Sequence, residues 1–368
     1  MSCQLKLARA TLLVTASVLT FYGLLVLHST TLPLPSGKAL FNRQINCLFI
    51  ALLSGVFFSF INLNKLKSYA KPIGIITGLL LLSVLIPGIS RCIKGAHRWI
   101  ELGGSRLQPS EPAKVGFVLF FAYFLSYHVH QIKSFSQGFI KPISILGIYC
   151  FLLILEPDFG TTVLFGCVGT LMLFVKGVRS RFIIPTCCVA LIAFGIAIYF
   201  NPVRLNRILA FLDLDSNRLT GAYQLWQSLV AFSSGGWWGC GLGQGRQQFF
   251  FLPEAHTDFI GAILAEELGI FHVLVVLLCF ILITYSGLKI TKAQYQPYLF
   301  FVGLGTVCFI SIQVILNLGV ITGLLPTKGL ALPFLSYGGS NLVTNFCFIG
   351  LLVNLTRPIY SPLNDIQK

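Results

Sequence analysis

Long uninterrupted runs of apolar residues, separated by short polar clusters, follow one another along the chain as far as residue 356. A helix needs about 20 apolar residues to cross the hydrocarbon of a bilayer, and that ruler predicts roughly ten spans. They fall near 11–27, 44–62, 72–90, 111–130, 139–155, 160–176, 182–200, 258–285, 296–322 and 338–356. The expected fold is an all-α membrane protein, one polytopic domain over 1–368, with both termini on the same side. One connection, about 201–257, is far longer than the rest and forms a large extracytoplasmic loop. The first run follows Lys6 and Arg9 as the core of a signal peptide would. No small-residue cleavage site follows it, so it reads as a retained first span.

Composition agrees: 55% of residues are hydrophobic, 10% charged, and mean hydropathy is +0.84. Soluble domains carry about a quarter charged residues, so lipid is the natural solvent here. The net charge of +15 does not indicate nucleic acid, because the basic residues are scattered between apolar runs and form no stripe. The eleven cysteines contain no CxxC pair, and most lie in apolar runs as small packing residues. Cys92 and Cys240 lie in loops, and a disulfide between them is the one pairing to consider.

With the termini in the cytoplasm, Lys65, Lys67, Lys71, Lys133, Lys141, Lys176, Arg179, Arg181, Lys289 and Lys292 all lie in short inner loops without a single acid. That is the positive-inside pattern. Every acidic residue except Asp365 then lies at the outer face. The outer face also carries many basic residues, including Arg91, Lys94, Arg98, Arg106, Lys114, Arg204, Arg207 and Lys328, against the orientation rule. Function is the obvious reason for such a concentration. The 201–257 loop is rich in aromatic residues, among them Trp226, Trp237 and Trp238, which argues against disorder and for folding back onto the membrane surface.

Four outer segments hold the candidate chemistry. In GAHRWIELGGSRLQPSEPAK, Arg98 and Arg106 offer forked donors suited to phosphate. Ser110 and Glu111 open the next helix, and Lys114 sits one turn inside it. A charge within a span is functional by default, whereas a basic interfacial helix on anionic headgroups explains Arg98 equally well. In EPDFGT, Asp158 is either the N-cap of the following span or a partner for those cations. In LPEAHTDFIGAILAEELG, Asp258 belongs to the first turn of the next helix, as a cap or as a carboxylate base. Glu266 lies about 12 Å deeper at 1.5 Å per residue, where it must pair or line a wet cavity. His256 has no second histidine at ligand spacing and reads as a loop anchor. In LLPTKGLALPFLSYGGS, Pro326 and Pro333 exclude a continuous helix, so Lys328 faces a cavity lined by non-helical backbone.

Taken together and in this order, GAHRWIELG, QPSEPAK, EPDFGTT, AYQLWQSL, GLGQG, LPEAHTDF, AEELG and GLLPTKGLALPFLSYGGS resemble the SEDS family of bacterial cell-wall polymerases. The likeness covers most of the chain from Gly95 onward, and Pro326-Thr327-Lys328-Gly329 is similar to the FtsW/SpoVE branch rather than to RodA. The resemblance implies peptidoglycan glycosyltransfer, joining lipid II into β-1,4 glycan at the outer face of the cytoplasmic membrane, with Asp258 in the position of the family's essential aspartate. Arg106 and Lys114 match positions linked to substrate handling. Pro112, Gly261 and Asn341 depart from the usual family residues, and none of these changes removes an ionisable group.

Such a reaction inverts an α-linked sugar diphosphate by single displacement. Asp258 is then the base, and Arg98, Arg106, Lys114 and Lys328 meet the substrate or its leaving group, with Glu111, Asp158 and Glu266 as further contacts. A divalent cation, Mg2+ or Mn2+, is compatible with this chemistry, and no residue pattern demands it. The resemblance also implies a class B penicillin-binding protein transpeptidase and other division proteins as partners, at the division site. A lipid II flippase is the rival reading, but it would favour polar groups reachable from both faces and repeated halves. A non-catalytic division scaffold is the third.

Overall fold

The computed structural model describes residues 3–86, 88–93, 96–102, 105–127 and 135–357. Each predicted span meets a helix. The chain begins with α1 (Cys3–Thr31), α2 (Gly37–Phe60), α3 (Leu63–Ser68) and α4 (Ala70–Ser83), then crosses a small antiparallel sheet of β1 (Ser90–Ile93), β2 (Ala96–Leu102) and β3 (Ser105–Leu107). It continues through α5 (Ser110–Tyr127), α6 (Lys141–Leu155), α7 (Phe159–Lys176) and α8 (Ser180–Tyr199). The outer loop holds α9 (Pro202–Leu212), α10 (Leu214–Asn217) and α11 (Tyr223–Gly235), before α12 (Ile260–Lys292), α13 (Pro297–Ile321) and α14 (Gly339–Asn354). Among the described residues, 7 helices are long and apolar enough to cross a membrane, and α4 and α14 are shorter apolar helices. The remaining span, α5, has 18 residues and carries Glu111 and Lys114 at its outer end.

Local sequence explains several boundaries. Pro142, Pro202 and Pro297 stand in the first turns of α6, α9 and α13, where a missing N–H costs nothing. Asp158 and Asn201 cap α7 and α9 by accepting the amides of Thr161 and Arg204. Gly177, at φ 92°, ends α7 in the left-handed region.

At the centre stands α13, buried along almost its whole length. Phe309 on it meets Phe117 of α5, Phe165 of α7 and Phe348 of α14, with ring centroids 6.1, 5.1 and 5.8 Å away. On the flank, α2 and α14 pack closely because both present glycine at their crossing. A Cβ on Gly350 would lie 2.3 Å from the Gly55 carbonyl oxygen. Small residues allow such backbone approach where lipid supplies no hydrophobic drive. Asn354 fixes the inner end of the pair by donating to the carbonyls of Phe58 and Ile61 at 2.7 and 2.6 Å.

Three features correct the sequence reading. The segment around Arg98 is a β-hairpin with a third strand, not an interfacial helix, and Glu101 faces Arg106 across it. Trp99 and Ile100 suit a strand, which a search for long apolar runs cannot see. The eighth predicted span is not one helix, because α12 breaks at Gly269 (φ 83°, ψ 172°). The returning loop satisfies the backbone freed there. Cys240 and Gly241 donate to the carbonyls of Glu266 and Glu267 at 2.9 Å each, and Ile270 and Phe271 donate to those of Gly236 and Trp237 at 2.9 and 3.3 Å. Cys240 is a free thiol beside the Glu266 carbonyl, not half of a disulfide. The loop does fold back, leaving Trp237 and Trp238 67% and 78% exposed.

Gly350→Ala is expected to force α2 from α14 and cost about 1–3 kcal/mol, whereas Gly78→Ala, with nothing within 4 Å of its added Cβ, should be silent. Thermal unfolding of the two variants in detergent, against wild type, measures this.

Candidate active site

Two amides on α13, Gln313 and Asn317, stand one turn apart on the same helix face. Asn317 donates to the backbone carbonyls of Asp258 at 2.9 Å and Leu330 at 2.6 Å. Gln313 donates to the Ala331 carbonyl at 2.7 Å and the Asn341 side chain at 3.2 Å, and accepts from the Lys114 ammonium at 2.9 Å. These two side chains thus join α5, α14, the Asp258 segment and the non-helical strap that carries Lys328. They escaped the sequence reading. Their signal was a pair of amides at helical spacing inside an otherwise apolar run.

The strap and the Asp258 segment are also sewn directly together. Ser336 donates to the Thr257 carbonyl at 2.6 Å, and the Tyr337 amide to the His256 carbonyl at 2.9 Å. His256 is therefore a loop anchor, its ring 5.8 Å from that of Tyr337. Asp258 is half-buried and lies just before α12, which begins at Ile260, rather than in its first turn. A Cβ on Gly329 would sit 2.9 Å from Asp258 Oδ2, so glycine is what lets the strap's backbone come up to this carboxylate.

Beneath this mouth, Lys114 and Glu111 form a buried pair at 2.7 Å with side chains 1% and 7% exposed. The second Glu111 oxygen, Oε2, has no protein partner. Asn341, one of the family departures, is built into the same network through Gln313 and Asn345.

Further charged groups gather at the α6–α7 junction. Asp158 caps α7, receives the Thr161 hydroxyl at 2.9 Å and lies 3.5 Å from the Gln108 amide. It is thus a cap, and it also acts electrostatically on Lys328. Lys328 lies 5.6 Å from the ring centroid of Phe194. Burial lowers its pKa to about 8 against the pull of Asp158, which leaves it mostly protonated at neutral pH. Arg98 donates to the carbonyls of Pro157 and Glu156. The Glu156 carboxyl is buried with neither oxygen partnered, and burial first, then Asp158, push its pKa up to about 8. Residues Lys114, Glu111, Asp158, Asp258, Lys328 and Arg98 therefore belong to one connected outer cluster. Arg106 instead lies on the hairpin, half exposed and 3.6 Å from Glu101. Glu266 faces the returning loop, accepting the amides of Arg246 at 2.9 Å and Gln247 at 3.2 Å, while Glu267 accepts the Ser29 hydroxyl at 2.6 Å. Among the described residues, no three His, Cys, Asp or Glu side chains converge to hold a metal ion.

A helical bundle with carboxylates and cations gathered at one end, against non-helical backbone, is a polytopic membrane protein with a one-sided polar site. More particularly, the chain belongs to the cell cycle protein family of FtsW, RodA and SpoVE, whose model matches residues 9–360. It is 37% identical to the probable peptidoglycan glycosyltransferase FtsW of Geobacter metallireducens over 350 residues, covering 94% of this chain and 93% of that protein. The probable peptidoglycan glycosyltransferase FtsW of Legionella pneumophila is 39% identical over 316 residues, 85% of this chain and 80% of its own. In structure, the chain superposes on a member of a peptidoglycan synthase complex that coordinates polymerization and crosslinking, with TM-score 0.80 and 27% identity over 95% of this chain and 98% of that one. It superposes on Thermus thermophilus RodA with TM-score 0.71 and 25% identity, covering 95% and 97%.

Glu156→Gln should stabilise the protein increasingly as pH rises. A carboxyl raised from 4.5 to about 8 contributes stability below the lower value and loses it as pH climbs through the higher. Melting temperatures of the two forms should run parallel below the lower value, diverge steadily as pH rises from there to about 8, and differ by a constant amount above it.

Proposed function

We infer that this chain is a peptidoglycan glycosyltransferase of the FtsW type, an inner-membrane enzyme that polymerises lipid II into β-1,4 glycan at the outer face. The observation that carries the chemistry is the Asp258 carboxylate held against Gly329, the residue that follows Lys328 in the strap, by backbone that Asn317 ties down. In an inverting displacement the acceptor's sugar hydroxyl attacks the anomeric carbon of the lipid-linked sugar. The new C–O bond forms as the bond to the pyrophosphate breaks, and the bonding pair leaves with the lipid pyrophosphate. Asp258 takes the hydroxyl proton, while Lys328 and Arg98 oppose the charge developing on the leaving group. Lys114 and Glu111, locked on Gln313, set the polar floor, and Asp158 keeps Lys328 charged and in place. Arg106, on the hairpin rim, meets the incoming pyrophosphate. Glu266 holds the loop wall of the site in place.

The structural relative comes from a complex in which polymerization and crosslinking are coordinated. We propose by extension that this chain works with a class B penicillin-binding protein transpeptidase at the division site.

The test is glycan synthesis from lipid II by the purified protein with its transpeptidase. Asp258→Asn should keep its fold and lose roughly 10²–10⁴-fold in rate, the usual contribution of a positioned base. Full polymerisation by the variant removes Asp258 from the role of base. Lipid II translocation in vesicles, with no polymer from folded wild type, turns the reading to the flippase.

A further inference from the structure

Outside the charged cluster, the outer loop forms an open cavity of about 450 Å3 between α9 and the start of α11. That volume falls within the roughly 300–1,000 Å3 of small-molecule pockets. Its polar lining is Asn206, Arg207, Thr220, Tyr223, Gln224 and Thr327. Tyr223 and Gln224 belong to the AYQLWQSL motif, which the chemistry at Asp258 leaves unused. The character of the lining differs from that of the active site. It offers two amides, two aliphatic hydroxyls and a phenol with its ring, against a single cation and, among the described residues, no carboxylate. Such a set matches the hydroxyl and acetamido groups of a neutral sugar better than a pyrophosphate, which calls for clustered forks and ammonium groups.

The cavity's place is as telling as its lining. Thr327 immediately precedes Lys328, and Pro253, also on its wall, opens the turns that lead to Asp258. The walls are built before any ligand arrives. Ser228 of α11 donates to the Ile321 carbonyl at 2.7 Å, fixing α11 to α13. Gly221 lets α9 close in, because a Cβ there would lie 2.8 Å from the Ala210 methyl. A preformed cavity avoids the ordering cost of binding.

We propose that this cavity is a saccharide subsite for the elongating glycan, one that takes an N-acetylated sugar of the strand next to the reacting unit. The proposal rests on the glycosyltransferase reading. The reacting sugar's lipid tail must stay in the bilayer, so sugars already joined extend outward, to where the loop helices rather than the spans form the walls. Asn206, Gln224 and Thr220 hydrogen-bond the sugar, the Tyr223 ring packs on it, and Arg207 at the edge meets carboxylates of the attached peptide. Holding the strand here keeps it from leaving between additions.

Two measurements test this on the purified complex. With lipid II as substrate, Asn206→Ala/Gln224→Ala should make glycan chains about tenfold shorter than wild type at equal lipid II consumption, the loss expected for two neutral hydrogen bonds. The β-1,4 tetramer of N-acetylglucosamine should give saturation-transfer NMR signals with wild type and with Asp258→Asn, and none with the double variant. If the double variant lacks a thermal transition, Asn206→Ala alone, exposed on α9, carries both measurements. Chains of wild-type length, or tetramer signals that are undiminished in the variant or absent from wild type, overturn the subsite. Absence of polymer from wild type overturns the polymerase reading instead, and tetramer binding still decides the cavity.

Discussion

Backbone that leaves the helix at or inside a bilayer has no water to satisfy it, and this protein's outer half is organised around that constraint. Beside the β-sheet, three stretches among the described residues show it: the strap around Lys328, the turns around Asp258, and the loop that returns through 236–243. Each is held by side chains or broken backbone belonging to a buried helix. Gln313 and Asn317 on α13 take the carbonyls of the first two. The third exchanges amides and carbonyls with α12 where Gly269 interrupts it, while the two glutamates beside that break accept further loop amides. The Asp258 carboxylate, presented on irregular chain, therefore rests on a rigid support.

The same supports separate the charged groups by task. Glu266 and Glu267 look like catalytic acids from sequence, yet Glu266 accepts loop amides and Glu267 accepts the Ser29 hydroxyl of α1 and the Gly243 amide. Lys114 and Glu111 are buried against each other and against an amide, so their opposite charges can persist at depth. Among the described residues, Lys328 and Arg98 form no such tight pair with a carboxylate: Arg98 meets backbone carbonyls, and Lys328 lies over the Phe194 ring. Glu156 lies among them with a carboxyl kept neutral by burial, which limits the negative charge beside an anionic substrate.

Much of this was legible in the residues. The ten apolar runs, the concentration of acids on one side, the cap at Asp158 and the helix start at Ser110 follow from short-range rules: length, charge sign and cap chemistry. The family was legible too, because its motifs are contiguous. What stayed hidden were relations between distant positions. Nothing near Asn317 in the chain says that it will hold Asp258 and Leu330, and nothing near Gly269 says that its helix breaks to receive residues 236–241.

By itself, then, the sequence determined a one-sided, helical membrane protein and the segments in which its chemistry lies, because solvent preference and backbone propensity act locally. Only the tertiary structure decided which charged residues share a cluster, which serve as anchors, and that an open cavity forms between α9, α11 and the residues Pro253 and Thr327. Those outcomes depend on which helices meet at α13 and on how closely glycines let the backbone approach. Burial and hydrogen-bond partners are properties of assembled surfaces, and no single segment carries them.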